Sequence, residues 1–273
     1  MSVTTGRQVT RSISPGMARV LERLELDRAQ LVTTATLAAM LVEAGIKTPA
    51  RVVAARLREH GWLLPTDQRG VWEFAAADLA GPYSQGDPLV SVKSFRARRP
   101  ETSCALTFQT AAWAHGLADR VPARLEVAVP AGAVARHLPR SLDGSVFVPV
   151  LPTTTVREVP VLAAESVLVH MAAKPSAVRS WASASEWLPD LAAELDGDLL
   201  VAELSERPPT VIARAGYLLQ GLRPDLALRL RQAPLPAGKT WFGPRGKLLR
   251  HDARWQIADT LLPFDPRDLE DVR

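Results

Sequence analysis

Residues 48–74, TPARVVAARLREHGWLLPTDQRGVWEF, decide how the N-terminal part of this chain folds. Thr48 and Pro49 suit the N-cap and first position of a helix, and Gly61 suits its end just after His60. At about 100° per residue, Ala50, Val53, Ala54 and Leu57 fall on one side and must meet other apolar surface. Arg51, Ala55 and Arg58 fall on the opposite side, with Arg56 and His60 on a flank. GWLLP and GVWEF then read as two short strands, and TDQRG as the turn between them.

Working backward, SPGMARVLERLELD carries a helix start at Ser14 and Pro15, with Val20, Leu21 and Leu24 at helical spacing. VTTATLAAMLVEAG places Thr33 or Thr34 at an N-cap, puts Leu37, Met40 and Leu41 on one stripe, and stops at Gly45. Three helices followed directly by a hairpin predict a winged helix-turn-helix.

An amphipathic helix with outward arginines is often only a solvated face. Its place ahead of a hairpin changes the reading. Small residues between arginines let a helix sink into a major groove about 12 Å wide, where an arginine fork pairs with guanine O6 and N7. The candidate DNA-binding residues are therefore Thr48, Arg51, Ala55 and Arg58 on the helix and Gln68 and Arg69 at the tip of the turn. Arg7 and Arg11, in a leader without periodicity, would serve as a basic arm. The DNA is double-stranded, and one such module binds weakly at cellular salt, so a weak dimer or a second contact is expected.

Beyond Phe74, AAADLAGPYSQGDP is rich in Ala, Gly and Pro and marks a boundary, giving domains 1–86 and 87–273. The second part mixes helix and strand patterns. TFQTAAWAHGL reads as a helix ending near Gly116, RLEVAVP and SVFVPVLP as strands, and REVPVL as a lead into the helix AAESVLVHMAAKP. SASEWLPDLAAEL, TVIARAGYLLQGL and PDLALRLRQ are further helices, and ARWQIADTLLP is a closing strand. No repeat of 20–50 residues occurs. The expected class is α+β: a winged helix-turn-helix, then a larger mixed α/β domain. KSFRARR, with Lys93, Arg96, Arg98 and Arg99, is a positive patch suited to extra DNA, to an acidic protein surface, or to solvent.

The 273 residues are 47% hydrophobic and 23% charged, the composition of a soluble globular protein. With 33 Lys and Arg against 29 Asp and Glu, the net charge is +4, and the pI of about 9.6 hints at a polyanionic partner. One cysteine, Cys104, excludes a disulfide framework and fits a reducing cytoplasm. No apolar leader or segment of about 20 apolar residues is present, so neither export nor a membrane anchor is expected.

Signs of catalysis are sparse. APLPAGKT, residues 233–240, satisfies a relaxed phosphate-loop pattern, but Pro234 and Pro236 remove backbone donors and WFGPRG cannot begin the required helix. His170 and His115 lie in apolar helical contexts, and His137 and His251 lack a second ligand at metal spacing. The acids around Asp196 and Asp198 read as capping and turn chemistry. No catalytic, cofactor or metal site is expected.

The hairpin from REHGWL to GVWEF, with TFQTAAWAHGLADRVPARLEVAVP, AAESVLVHMAAKPSAVRSWASASEWLPDLAAEL and TVIARAGYLLQGL, resembles the AbiEi antitoxins of type IV toxin–antitoxin systems, especially actinobacterial members. The resemblance runs over nearly the whole chain. It implies a winged helix that represses the protein's own operon and a C-terminal domain that counters a cognate AbiEii-type toxin, itself similar to nucleotidyltransferases. Neutralisation in this class does not require a stable complex. Arg51, Ala55, Arg58, Gln68 and Arg69 are the matching DNA-facing positions, although Ala55 offers no hydrogen bond. Two other classes stay open: a one-component transcription regulator with a ligand-binding C-terminal domain, and an enzyme delivered to nucleic acid by the winged helix.

Overall fold

A computed structural model describes residues 15–76, 86–133 and 138–269. Arg7, Arg11 and His137 lie outside the described residues. The chain divides into two compact units, Met1–Glu101 with Pro139–Ser141, and Thr102–Leu138 with Leu142–Arg273. Composition suggested a boundary between 86 and 87, but the units part after Glu101. The reason is a helix, α4 (Val90–Arg98), hidden in the KSFRARR charge run and packed on strands of the first unit.

The first unit runs α1 (Pro15–Leu26), β1 (Leu31–Thr33), α2 (Thr34–Glu43), α3 (Ala50–Glu59), β2 (Leu63–Pro65), β3 (Val71–Phe74) and α4. Its antiparallel sheet has the order β1-β3-β2. Up to β3 this is the winged-helix order, with the three-residue β1 unannounced in the sequence. Thr33 caps α2, its hydroxyl accepting the Thr36 N–H at 3.0 Å. Gly45 and Gly61 end α2 and α3 at φ 69° and 72°, a region that costs a side-chain-bearing residue dearly. The cap of α3 is Pro49 rather than Thr48, so the cap residue supplies no side-chain bond. Pro49 holds ψ at 138° and its carbonyl accepts from Val52 N at 2.9 Å, which starts the helix one residue late.

The core joins Val20, Leu21 and Leu24 of α1 to Leu37 and Leu41 of α2, Val53, Ala54 and Leu57 of α3, and Trp62, Leu63 and Phe74 of the hairpin. The periodicity named all of these helical positions; of the others it named, Met40 and Ala50 are only partly buried. Packing thus fixes which side of α3 faces outward.

The second unit contains a five-stranded mixed sheet of order β6-β5-β4-β8-β7. Its strands are β4 (Ala105–Leu106), β5 (Leu125–Val129), β6 (Leu142–Val146), β7 (Thr154–Val156) and β8 (Val159–Val161), with α5 (Phe108–Ala114) between β4 and β5. Helices α6 (Ala164–Ala173), α7 (Trp181–Ala193), α8 (Gly197–Leu204), α9 (Pro209–Leu219) and α10 (Pro224–Leu230) follow. SVFVPVLP is not a strand throughout: β6 ends at Val146, and Glu203 draws the next turn away by accepting Val150 N at 3.0 Å and Leu151 N at 2.9 Å. α8 stands where ELDGD read as a turn; Asp196 does cap, accepting from Asp198 N at 2.7 Å and Leu199 N at 3.0 Å. The C-terminal β9 (Thr240–Phe242), β10 (Arg250–Asp252) and β11 (Ile257–Asp259) form a third sheet, order β10-β11-β9, of which only β11 was foreseen.

Candidate nucleic-acid interface

α3 reaches the surface with Arg51, Ala55, Arg56 and Arg58 exposed, opposite the buried Val53, Ala54 and Leu57. Among the described residues none of these three arginines enters a salt bridge, and the one acid on the helix, Glu59, sits at its end. The face is therefore a row of cations around a small residue. His60 is spoken for, its Nδ1 lying 2.7 Å from the Arg56 carbonyl as a C-terminal cap. The sequence reading passed over Val52, 42% exposed beside Arg51. Its outward position is a signal the 3.6 period carries, and an apolar side chain there suits a thymine methyl.

The hairpin turn is built rather than loose. Gln68 N donates to Thr66 Oγ1 at 3.1 Å, and the Thr66 hydroxyl donates to Val71 O at 2.8 Å. Gly70 takes φ 81°, and its carbonyl accepts Thr34 N at 2.9 Å, which fastens the turn to the start of α2. A Cβ on Gly70 would meet Thr34 Oγ1 at 2.9 Å, so both conformation and space demand glycine. Arg69 is exposed and Gln68 half-buried at the tip. The acid between Thr66 and Gln68, Asp67, accepts a hydrogen bond from Ser94 Oγ at 3.2 Å.

The KSFRARR patch does not survive as a unit. Lys93 is buried, paired with Asp87 at 2.7 Å and donating to Gln30 Oε1, so it ties α4 inside the first unit. Arg98 is exposed, and Arg96 and Arg99 are half-buried. Helical geometry scatters what looked contiguous.

In the second unit several polar groups are buried. His170 is fully buried, its ring nitrogens 2.8 Å from Thr107 Oγ1 and 2.9 Å from Ser145 Oγ, with Phe108 and Phe147 each 4.3 Å away, ring centre to ring centre. Burial, with Lys174 and Arg207 nearby, pushes its pKa down to about 3. Glu126 is buried on β5 and burial raises it to about 7 against the backbone N–H groups of Thr110 and Gln109. His115 Nε2 is 2.8 Å from the Leu162 carbonyl. GKT leads into β9, not a helix, so no phosphate loop forms there. Among the described residues no three His, Cys, Asp or Glu side chains group as metal ligands. Among them, too, no helix is long and apolar enough to cross a membrane.

Residues 103–221 match the model of the family described as the AbiEi antitoxin C-terminal domain. It is this stretch, not the whole chain, that is similar to the AbiEi antitoxin C-terminal domain. Among solved structures the chain is similar to the RV2827C protein from Mycobacterium tuberculosis, at 25% identity over 93% of this chain and 94% of that one, with a TM-score of 0.77. No curated protein matches it.

Proposed function

We propose, from the AbiEi antitoxin domain at residues 103–221, that this chain is the antitoxin of a two-gene system. It counteracts a cognate toxin of nucleotidyltransferase type and represses its own operon through the winged helix. The observation that carries the reading is the joining, in one chain, of that domain to a helix-and-hairpin unit whose outer face bears arginines that enter no salt bridge among the described residues.

On duplex DNA, α3 enters the major groove and Arg51 and Arg58 offer guanidinium forks to guanine edges, each pair worth about 1–3 kcal/mol of discrimination. Arg69 at the wing, with Arg56 on the flank, neutralises phosphate, which drives binding by counterion release without reading sequence. The chain acts without a cofactor and binds the operator as a monomer or weak dimer.

The test is growth. Cells expressing the adjacent gene should stop growing, resume when this protein is supplied, and the purified protein should retard the duplex upstream of its own gene. A harmless neighbour, or a toxic one that this protein fails to counter, overturns the antitoxin reading and favours a ligand-responsive repressor.

A further inference from the structure

The C-terminal three-stranded sheet lies beyond the matched residues 103–221 and has a chemistry of its own. His251, Ala258 and Trp241 are in register across β10, β11 and β9, so their side chains share one face. The alternate positions, Thr240, Phe242, Asp252, Ile257 and Asp259, are buried. On this face His251 is exposed and Trp241 partly exposed, while Ala258 between them is buried.

Cations rim it. Lys239 and Arg254 stand where β9 and β11 begin, and Arg245 and Lys247 lie in the connection at the opposite end; all four are exposed. None of them enters a salt bridge among the described residues, and the Lys239 ammonium lies 5.8 Å from the Trp241 ring centre. Beneath, Arg214 of α9 clamps the Trp241 carbonyl with two donors, at 2.9 and 2.7 Å, and gives a third to Ala172 O at 3.3 Å. Among the described residues its guanidinium donates to carbonyls, which fixes β9 in place.

We infer that this face binds single-stranded nucleic acid, a base stacking on Trp241 and the flanking phosphates lying on Lys239 and Arg254 at one end and Arg245 and Lys247 at the other. An aromatic ring held on a sheet among unpaired cations suits a base already out of a helix, since stacking needs a free base face. A duplex, its bases paired and stacked, presents none. The inference does not depend on operator binding by α3.

The experiment is fluorescence anisotropy of a labelled 12-nucleotide strand of mixed sequence, presented as RNA and as DNA, with the same sequence as a duplex for comparison. The full chain should bind the single strands, and the tighter of the two arms identifies the source. Trp241→Ala should weaken single-strand binding by about five- to 150-fold, the range a lost base–aromatic stack gives. Trp241→Phe should restore most of it, and Lys247→Glu should lower affinity and flatten its salt dependence. Arg51→Ala with Arg58→Ala should leave it unchanged, which separates this face from α3. The inference is overturned if Trp241→Ala binds like the parent, if Phe fails to rescue a variant that still melts like the parent, or if the single strand is lost with the α3 arginines.

Discussion

Glu126 and His170 carry opposite pH dependences in one core. The raised pKa of Glu126, from 4.5 to about 7, means the fold holds a proton the unfolded chain has released. Its contribution is complete below pH 4.5 and is lost as pH rises through about 7. His170 is depressed from 6.5 to about 3, so its contribution is complete above 6.5 and is lost as pH falls toward 3. Between 4.5 and 6.5 the two oppose each other, and the parent should show a shallow profile there. Glu126→Gln keeps an acceptor for the Thr110 N–H but cannot titrate, so its stability should rise with pH over that window. His170→Asn should show the reverse, falling from pH 4.5 to about 7. At about 1.4 kcal/mol per unit the ceiling for Glu126 is about 3 kcal/mol. Urea unfolding in steps of pH reads both slopes, and parallel profiles for parent and variants would refute the assignment.

At the scale of the element, α9 shows which of two effects wins. Gly216 sits inside that helix, where alanine ordinarily stabilises by about 1 kcal/mol. A Cβ there would stand 2.1 Å from the indole of Trp255, itself 1% exposed, and overpacking of that kind costs about 1–3 kcal/mol. Gly216→Ala should therefore lower the melting temperature, and adding Trp255→Leu should recover part of the loss; an unchanged or raised melting temperature for the single variant would show that the ring moves aside freely. Under the proposed operator binding, α3 reads sequence and the wing supplies attraction. Arg51→Ala should weaken operator binding and erode its preference over random duplex, whereas Arg69→Ala should mainly reduce the salt slope, by about one. Equal affinity of Arg51→Ala and parent for both duplexes would remove Arg51 from the reading helix. These elements were legible because period, glycine stops and turn residues agree over ten or more residues. β1, β9 and β10 were not, since three residues carry no period, and α4 was masked by its charge run. The outward position of Arg51, Ala55 and Arg58 followed from the helical period alone. The burial of Lys93 did not, because its partners Gln30 and Asp87 are brought to it only by folding.

The whole molecule holds two compact units with separate cores, the first around Leu24, Leu37 and Leu57, the second around residues such as Trp187, Tyr217 and Trp255. Exposed arginines on α3 contribute nothing to the second core, and surface substitutions away from caps and pairs change stability by about 0.5 kcal/mol or less. Changes to that face should then leave the antitoxin domain folded and at full abundance. From this follows a separation of functions: expressed from an unrelated promoter, Arg51→Ala with Arg58→Ala should protect cells from the neighbouring toxin as the parent does, while no longer retarding its own upstream duplex. Expression from the native promoter should rise in the same cells, because repression is lost and protection is not. Growth curves at matched protein levels, read beside a promoter reporter, distinguish the outcomes. If protection falls together with repression, the α3 arginines act in both roles, and neutralisation draws on the first unit rather than on residues 103–221 alone.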